Sequence, residues 1–200
     1  MAVLAVGRNA EALLAVCDLV VADGGEAEAL VADVTAADAP REIVEHATAR
    51  WGGVDALVNG AGIIASGTVA DTADDAFDAM MDINLRASFR LIREATPSLM
   101  ARKGSVVNVS SVAGTRSFPG VLAYCVSKAA VDQLTRCAAL DLAAHGVRVN
   151  AVNPGVVVTN LHRRSGMDEA RYAAFLEHSK TTHPLGRPGT PEEVAELIAF

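Results

Sequence analysis

Short apolar segments alternate with longer amphipathic segments along this 200-residue chain, and this alternation limits the possible folds more than any other feature. The apolar segments are rich in Val, Leu and Ala, and each is followed by a polar or glycine-containing turn. Such segments are typical of buried parallel strands, and the segments between them have helical spacing. Strands joined by helices in this order predict one α/β domain: a Rossmann-like, doubly wound parallel sheet between two helical layers.

The positions of the turns give approximate bounds for each element. We predict strands at residues 3–6, 28–34, 54–58, 105–109 and 147–152, and helices at 10–21, 39–50, 74–100, 123–144 and from 191 onwards. Asn9 and Thr72 are predicted helix caps, and Thr190 with Glu193 forms a capping box around Pro191. Residues 160–189 are predicted to be irregular with short helical pieces. No repeat or second domain is visible.

Composition excludes several classes of function. The formal net charge of −7, without any basic run, disfavours nucleic-acid binding. Cys17, Cys125 and Cys137 show no paired spacing, so we predict no disulfide framework, no structural metal site and a reducing, cytoplasmic location. No apolar stretch is long enough for a membrane span, and no secretory signal is visible at the N-terminus.

Tyr124 and Lys128 lie four residues apart in a predicted helix, so their side chains share one face. An ammonium beside a phenol favours the phenolate, and we therefore expect Lys128 to lower the pKa of Tyr124 for proton exchange with a ketone or alcohol. Ser111 ends a strand 13 residues earlier, where its hydroxyl can bond the same substrate oxygen. Alone, each feature is also typical of a surface pair or a turn serine. Together they indicate a proton-transfer site.

Asn84 lies between Ile83 and Leu85 in the long predicted helix. A buried asparagine requires hydrogen-bond partners, and two interpretations remain open. In one, neighbouring backbone groups satisfy the amide. In the other, Asn84 holds a water molecule in a proton relay to Lys128.

Further polar and glycine-rich clusters fall at the predicted carboxyl ends of strands, which meet at one edge of a parallel sheet. Small residues at Asn59-Gly60-Ala61-Gly62 allow a ligand to approach the backbone, although the same run also suits a plain tight turn. Asp33 ends an earlier strand, and Asn153-Pro154-Gly155 with Thr159 ends a later one. One extended cofactor lying across the strand ends would contact all of them.

Taken in chain order, these motifs resemble the short-chain dehydrogenase/reductase family, and most closely its bacterial 3-oxoacyl-carrier-protein reductases. The resemblance covers essentially the whole chain. It rests on Asp33-Val34, Asn59-x-Ala61-Gly62, Asn84, Ser111, Tyr124-x-x-x-Lys128 and Pro154-Gly155-x-x-x-Thr159.

The resemblance implies a role for each matched residue. Tyr124 is the general acid/base, Ser111 positions the substrate oxygen, Lys128 also binds the nicotinamide ribose, and Asn84 holds the relay water. Hydride then passes between a nicotinamide cofactor and a small-molecule ketone or secondary alcohol. The expected cofactor contacts are Arg8, Asp33, Val34, Asn59, Gly60, Ala61, Gly62, Tyr124, Lys128, Pro154, Gly155, Val157 and Thr159.

Within these contacts, Asp33 and Val34 would flank the adenine, and the backbone near Val157 with the Thr159 hydroxyl would hold the carboxamide. No acidic residue ends the first predicted strand, and Arg8 stands where a cationic side chain meets a 2′-phosphate. NADP is therefore the expected cofactor, with NAD as the alternative.

Two departures from the family pattern stand out. Gly60 replaces a second asparagine, which removes a side-chain hydrogen bond but keeps the backbone contact. The family's first strand, with its Gly-rich phosphate turn, and its last strand have no counterpart here. We therefore expect a truncated chain with weak cofactor binding, and a non-catalytic fragment is the alternative to an active reductase. An epimerase or dehydratase on the same fold is a third candidate.

Residues 160–189 combine a basic cluster at His162–Arg164 with apolar Met167, Tyr172 and Phe175. This mixture suits either an acyl chain on an acidic carrier or an ordinary mobile lid over a small ketone. By resemblance, the helices at 74–100 and 123–144 pair subunits into a homo-dimer or homo-tetramer.

Overall fold

The computed structural model describes residues 1–200 and contains five strands, all paired in parallel. Strand β1 (Ala2–Gly7) pairs with β2 (Glu26–Val31) in a two-stranded sheet. Strands β3 (Ala56–Asn59), β4 (Ser105–Val109) and β5 (Arg148–Val152) form a second sheet in that order. The α/β parallel architecture is confirmed, but no hydrogen-bonded ladder joins the two sheets.

Eight α-helices connect and cover the strands. They are α1 (Ala10–Ala22), α2 (Ala39–Trp51), α3 (Asp74–Met81), α4 (Ala87–Arg102), α5 (Leu122–Leu142), α6 (Leu161–Arg164), α7 (Glu169–Thr182) and α8 (Pro191–Ala199). A π-helical segment, Asp82–Arg86, joins α3 to α4, and a 3-10 turn, Val112–Gly114, follows β4. None of these helices combines the length and the apolar character that crossing a membrane requires.

The predicted caps are confirmed at two helices and wrong at one. The Asn9 side chain accepts from the Ala12 amide at 3.0 Å, and Thr190 with Glu193 forms the expected capping box. Thr72 does not cap α3, because its hydroxyl donates to the Thr68 carbonyl at 2.6 Å and the helix starts after Ala73.

Three element predictions need correction. Strand β2 ends at Val31, so Asp33 and Val34 lie in the loop beyond it rather than in the strand. The predicted helix at 74–100 is interrupted by the π-helical segment, which changes the residue period without any proline or glycine to mark it. Residues 169–182 form the regular helix α7 rather than short pieces. Only Tyr172 and Ser179 are buried in it, so it lacks the apolar stripe that reveals a helix.

Packing, rather than sheet hydrogen bonding, connects the two sheets. Leu4 and Val6 of β1 and Leu30 of β2 pack against Ile43 of α2 and Leu91 of α4. Leu57 of β3 touches the same cluster, so helices α2 and α4 span the separation between β1 and β3. A larger core lies between α4, α5 and the second sheet, with fully buried Ala95, Leu99 and Val106.

Candidate functional site

The structure brings Ser111, Tyr124 and Lys128 together above the carboxyl end of β4. Ser111 lies two residues beyond that strand, whereas Tyr124 and Lys128 lie in the first turns of α5. All three are buried, with 8%, 9% and 5% of their surfaces exposed. The Lys128 ammonium lies 5.8 Å from the centre of the Tyr124 ring. The sequence-predicted proton-transfer residues therefore share one enclosed corner.

Backbone and side-chain contacts fix the position of Ser111. Its hydroxyl oxygen accepts from the Ala113 amide at 3.1 Å, at the start of the 3-10 turn. The Val112 amide donates to the Pro154 carbonyl at 3.0 Å, which ties this turn to the loop after β5. The serine is thus held between two neighbouring strand ends.

A buried carboxylate supports the same turn. Asp132, one helical turn after Lys128, accepts from the Asn153 side-chain amide at 3.0 Å through each of its oxygens. The same Asn153 amide donates to the Ser111 carbonyl at 2.9 Å. Gly114 lies so near that a Cβ there would meet the Asp132 carboxylate at 2.4 Å. Asp132 therefore orients Asn153, which in turn holds the Ser111 backbone.

Burial shifts the pKa values of Tyr124 and Lys128 in opposite directions. It raises the pKa of Tyr124, and hydrogen bonding to Ser111 acts against this. It lowers the pKa of Lys128 to about 8, and the negative charge of Asp132 acts against that. Both shifts favour the neutral form of the group.

The expectation that Lys128 lowers the pKa of Tyr124 is not met in this structure. The Lys128 ammonium donates instead to the Val109 carbonyl at 2.8 Å. Desolvation of the phenol is the largest influence on the pKa of Tyr124, and it raises that pKa.

Asn84 lies in the π-helical segment and is 1% exposed. Its side-chain oxygen accepts from the Ile63 amide at 2.8 Å, and its amide donates to the Ile63 carbonyl at 3.0 Å and the Ser127 hydroxyl at 2.9 Å. Ser127 in turn donates to the Tyr124 carbonyl at 2.8 Å. Protein groups thus satisfy Asn84, as the first of its two interpretations predicted, and the water relay stays a prediction.

The Asn59–Gly62 cluster lies beside the proton-transfer residues. A Cβ at Gly62 would lie 3.4 Å from the Asn84 oxygen and 3.6 Å from the Lys128 nitrogen, whereas a Cβ at Gly60 would meet nothing within 4 Å. The Asn59 amide donates to Asn108 at 2.8 Å, but its buried side-chain oxygen has no partner. This cluster therefore offers open space at Gly60, and it contains one buried acceptor without a partner.

Arg8 and Asp33 approach each other at the ends of the first sheet, with 3.9 Å between guanidinium and carboxylate. Both are exposed. Hydrogen bonds from the Thr35 hydroxyl and amide hold the pKa of Asp33 below its usual value. Val34 packs under the loop against the α2–α4 cluster. The three predicted adenine-side residues therefore lie together at the carboxyl end of the first sheet, whereas Tyr124 lies in α5, which packs on the second sheet.

The loop from Pro154 to Thr159 is anchored to the segment that precedes α8. The Val158 amide donates to the Gly189 carbonyl at 3.0 Å, and the Gly189 amide donates to the Val156 carbonyl at 2.8 Å. A cavity of about 320 Å³ lies between this loop and the glycine cluster. Its lining comprises Gly60, Gly62, Ile63, Ile64, Thr159, Asn160, Leu161, Arg164 and Ser165.

Comparison with known proteins matches this arrangement over the whole chain. A family model described as enoyl-(acyl carrier protein) reductase matches residues 1–200. The 3-oxoacyl-(acyl-carrier-protein) reductase FabG of Thermotoga maritima is 37% identical over 88% of this chain and 70% of its own length. A 3beta-hydroxysteroid dehydrogenase of Mediterraneibacter gnavus is 40% identical over 99% of this chain and 78% of its own length.

Solved structures agree. A short-chain dehydrogenase/reductase of unknown function from Caenorhabditis elegans, solved with cofactor, has a TM-score of 0.91 and 34% identity, covering 98% of this chain and 77% of that one. This chain belongs to the short-chain dehydrogenase/reductase family. An NAD+-bound xylitol dehydrogenase, at TM-score 0.88 and 30% identity, covers 100% and 81%. Like these relatives, the chain is an oxidoreductase by family.

Three residues around this short-chain dehydrogenase/reductase site are absent from the sequence-based assignment. Asp132 continues the Tyr124–Lys128 spacing by one more turn, which the sequence displays. Tyr172 and His183 contact the Pro154–Thr159 loop from α7 and its end. Nothing in the sequence around Tyr172 and His183 reveals these two residues, because their contacts depend on tertiary structure. No group of three His, Cys, Asp or Glu side chains is arranged to hold a metal ion.

Proposed function

We propose that this protein is an NAD(P)-dependent oxidoreductase that transfers hydride between a nicotinamide cofactor and a ketone or secondary alcohol. The observation that carries the proposal is the enclosed Ser111–Tyr124–Lys128 group, which lies beside an open glycine cluster at the strand ends. A proton donor, a second hydroxyl and a cation converge there, as reduction of a carbonyl requires.

The proposed mechanism assigns the proton to Tyr124. Because burial raises the pKa of Tyr124, the phenol is protonated at neutral pH and can donate to the carbonyl oxygen during reduction. Ser111 donates a second hydrogen bond to that oxygen, while Lys128 supplies positive charge as the phenolate forms. When bound, the nicotinamide supplies or accepts the hydride. Asn84 is proposed to hold a water molecule near Lys128 for resupply of the proton.

The residues present fit a dinucleotide. The open space at Gly60 admits a ligand close to the backbone. We propose that Gly60, Ala61 and Gly62 with Lys128 hold the nicotinamide ribose. Pro154, Gly155, Val157 and Thr159 would hold the carboxamide, and Asp33 and Val34 the adenine.

We propose NADP as the preferred cofactor, because Arg8 presents an exposed guanidinium at the end of β1. Asp33 lies 3.9 Å from it and would compete with a 2′-phosphate for that charge, so the preference for NADP over NAD is expected to be moderate. Exchanging Arg8 for alanine should raise the KM for NADPH about tenfold and leave the KM for NADH nearly unchanged. Equal effects on both cofactors would contradict this role.

The substrate is proposed to be a carbonyl compound of the 3-oxoacyl type. The names of the FabG relatives support this class, and the guanidinium of Arg164, which lines the 320 Å³ cavity, suits an anionic carrier or thioester. The test compares the rate of NADPH oxidation, followed by absorbance, with a 3-oxoacyl thioester and with matched plain ketones. A faster rate with the thioester supports the proposed class. Turnover that consumes no NADPH would favour the epimerase or dehydratase alternative instead.

A second candidate is a non-catalytic form with no cofactor binding of its own, and the missing ladder between β1 and β3 favours it. A cofactor spanning both sheets would have to hold two separately bonded units together. NADPH fluorescence titration of the purified 200-residue chain distinguishes the candidates. A saturating curve at micromolar concentration supports the oxidoreductase, and no saturation supports the inactive form.

We also propose a homo-dimer or homo-tetramer formed through α4 and α5. Exposed Phe89, Val126 and Leu140 give these helices uncovered apolar positions. Light scattering should give a mass that is a multiple of the 20.7 kDa chain, and Leu140→Glu should reduce it. A reducing compartment is proposed, since all three cysteines are free.

A further inference from the structure

Side chains near the beginning and just beyond the end of helix α7 contact the Pro154–Thr159 loop. Near its beginning, the buried Tyr172 hydroxyl donates to the Thr159 carbonyl at 2.9 Å. Just beyond its end, the His183 imidazole accepts from the Val156 amide at 3.0 Å. The first and last parts of the loop are therefore each held by a side chain from the same helical unit.

The hydrogen bonds of His183 determine its tautomer. Nε2 faces a backbone N–H, so it carries no proton and acts as the acceptor. Nδ1 lies 3.0 Å from the Ser179 carbonyl, so it carries the proton and donates. A neutral ring with its proton on Nδ1 satisfies both bonds at once. Ser179 is 1% exposed, so this link is anchored in the packed part of α7.

Gly155 is matched to this ring. A Cβ at Gly155 would lie 2.8 Å from His183 Nε2, closer than any side chain tolerates without a shift. The glycine therefore lets the imidazole reach the Val156 amide. The His183 contact therefore requires a residue without a side chain at position 155, whether or not a ligand is bound.

We propose that His183 is a positioning residue for the nicotinamide end of the cofactor. By accepting from Val156, the ring fixes the orientation of the Gly155–Val156 peptide group, and the Gly189 amide fixes the next one through the Val156 carbonyl. Tyr172 holds the Thr159 end in the same way. Helix α7 and the residue after it thereby contribute, with Gly189, to the shape of the loop that is proposed to receive the carboxamide. This inference rests on the proposed function, because that function assigns the carboxamide to this loop.

Four variants separate positioning from general stability. His183→Leu removes the acceptor, whereas His183→Gln keeps an acceptor oxygen at about the same reach. Tyr172→Phe removes only the donor to Thr159. His178→Leu is the matched control, because His178 is an exposed residue of the same helix. Circular dichroism and thermal unfolding check that each variant folds.

The first readout is amide hydrogen exchange of residues 154–159, measured without cofactor. We expect His183→Leu to speed exchange at Val156 about tenfold, with His183→Gln largely restoring protection and His178→Leu having no effect. Tyr172→Phe should loosen the Thr159 end. Unchanged exchange in His183→Leu would overturn the proposal.

The second readout is the dissociation constant for NADPH. We expect about a tenfold increase in His183→Leu, with rescue by His183→Gln. Faster exchange combined with an unchanged constant would overturn the positioning role. If the wild-type chain binds no NADPH, the proposed function fails, and hydrogen exchange alone decides the His183 link.

Nitrogen NMR of the wild-type imidazole gives a test that needs no variant. The proposal requires a protonated Nδ1 and an unprotonated Nε2 at neutral pH. A proton found on Nε2 would overturn it, even if His183→Leu fails to fold.

Discussion

At the scale of single residues, burial raises the pKa of Tyr124 and lowers the pKa of Lys128. The neutral phenol of Tyr124 and the neutral amine of Lys128 are both favoured, because an enclosed apolar corner solvates charge poorly. The negative charge of Asp132 offsets part of this effect at Lys128. The corner therefore suits a proton donor more than a pre-formed phenolate.

Removing the phenol tests its proposed role directly. Tyr124→Phe should lower kcat for carbonyl reduction by about 10²–10⁴-fold, because the proton donor is lost while the ring still fills its place. NADPH binding by fluorescence titration should be nearly unchanged. A variant that retains more than about a tenth of wild-type kcat would contradict the assignment.

The low pKa of Lys128 predicts a fall in reductase activity on the alkaline side. Below pH of about 8 the side chain is charged and stabilises the phenolate that forms when Tyr124 gives up its proton. Above that pH it becomes neutral, and this stabilisation is lost. We expect kcat/KM for reduction to decline through pH of about 8. A profile that stays level well above that pH would contradict this assignment.

Lys128 should also cost stability. The fall of its pKa from 10.5 to about 8 corresponds to about 3 kcal/mol against the charged form, and an unpaired Val109 carbonyl would return about 1–2 kcal/mol of that. Lys128→Met should therefore abolish turnover yet raise the free energy of unfolding by about 1–2 kcal/mol near pH 7.

The pH dependence of that gain follows from linkage. Between the folded pKa of about 8 and the unfolded value of 10.5, the unfolded wild-type chain binds more protons, so wild-type stability rises with pH. The advantage of Lys128→Met should be full below pH of about 8 and shrink above it. Urea unfolding of both proteins on either side of that pH measures this. An advantage that grows with pH would contradict the explanation.

At the scale of elements, the π-helical segment connects the glycine cluster to α5. Asn84 holds both backbone groups of Ile63 and the hydroxyl of Ser127. Wider turns of this kind often occur at functional sites, and here the segment carries the one buried side chain that joins three parts of the site.

Replacing that side chain should be costly. Asn84→Ala leaves the Ile63 amide and carbonyl without partners, and we expect it to lower the free energy of unfolding by about 2–4 kcal/mol. Asn150→Ala is the matched control, because Asn150 is exposed on β5 and should cost less than about 0.5 kcal/mol. Similar losses in the two variants, measured in urea, would show that the Ile63 contacts contribute little.

The sequence is informative for elements wherever local rules apply. The Tyr124–Lys128 face and the Thr190 capping box follow from helical spacing and cap chemistry, and both are present. The π-helical segment and the regular α7 are not predictable in this way. The first changes the helical period without a marker residue, and the second packs through Tyr172 and Ser179 alone. His183 was equally hidden, because its partner Val156 lies 27 residues earlier.

At the scale of the whole molecule, the two sheets differ in how well they are enclosed. No residue of β1 or β2 is fully buried, whereas Val106 and Asn108 of β4 have no exposed surface. The first sheet is held to the rest mainly through α2, α4 and the Leu91 cluster.

This difference predicts uneven local stability. Amides of β1 and β2 should exchange hydrogen at least about tenfold faster than those of β4, because local opening of the first sheet exposes little buried surface. Hydrogen exchange with mass spectrometry on the intact chain measures this. Equal protection in both sheets would mean that the Leu91 cluster couples them into one cooperative unit.

The separation of the two sheets also affects which substitutions such an enzyme can accept during evolution. Arg8 and Asp33, which are proposed to select the cofactor, lie in the loops after β1 and β2, while Ser111 lies beyond β4 and Tyr124 and Lys128 lie in α5. We therefore expect substitutions in the loops after β1 and β2 to change coenzyme preference and to leave the reaction centre intact. For protein engineering, we expect that exchanging residues 1–35 as one unit would change the preference between NADP and NAD.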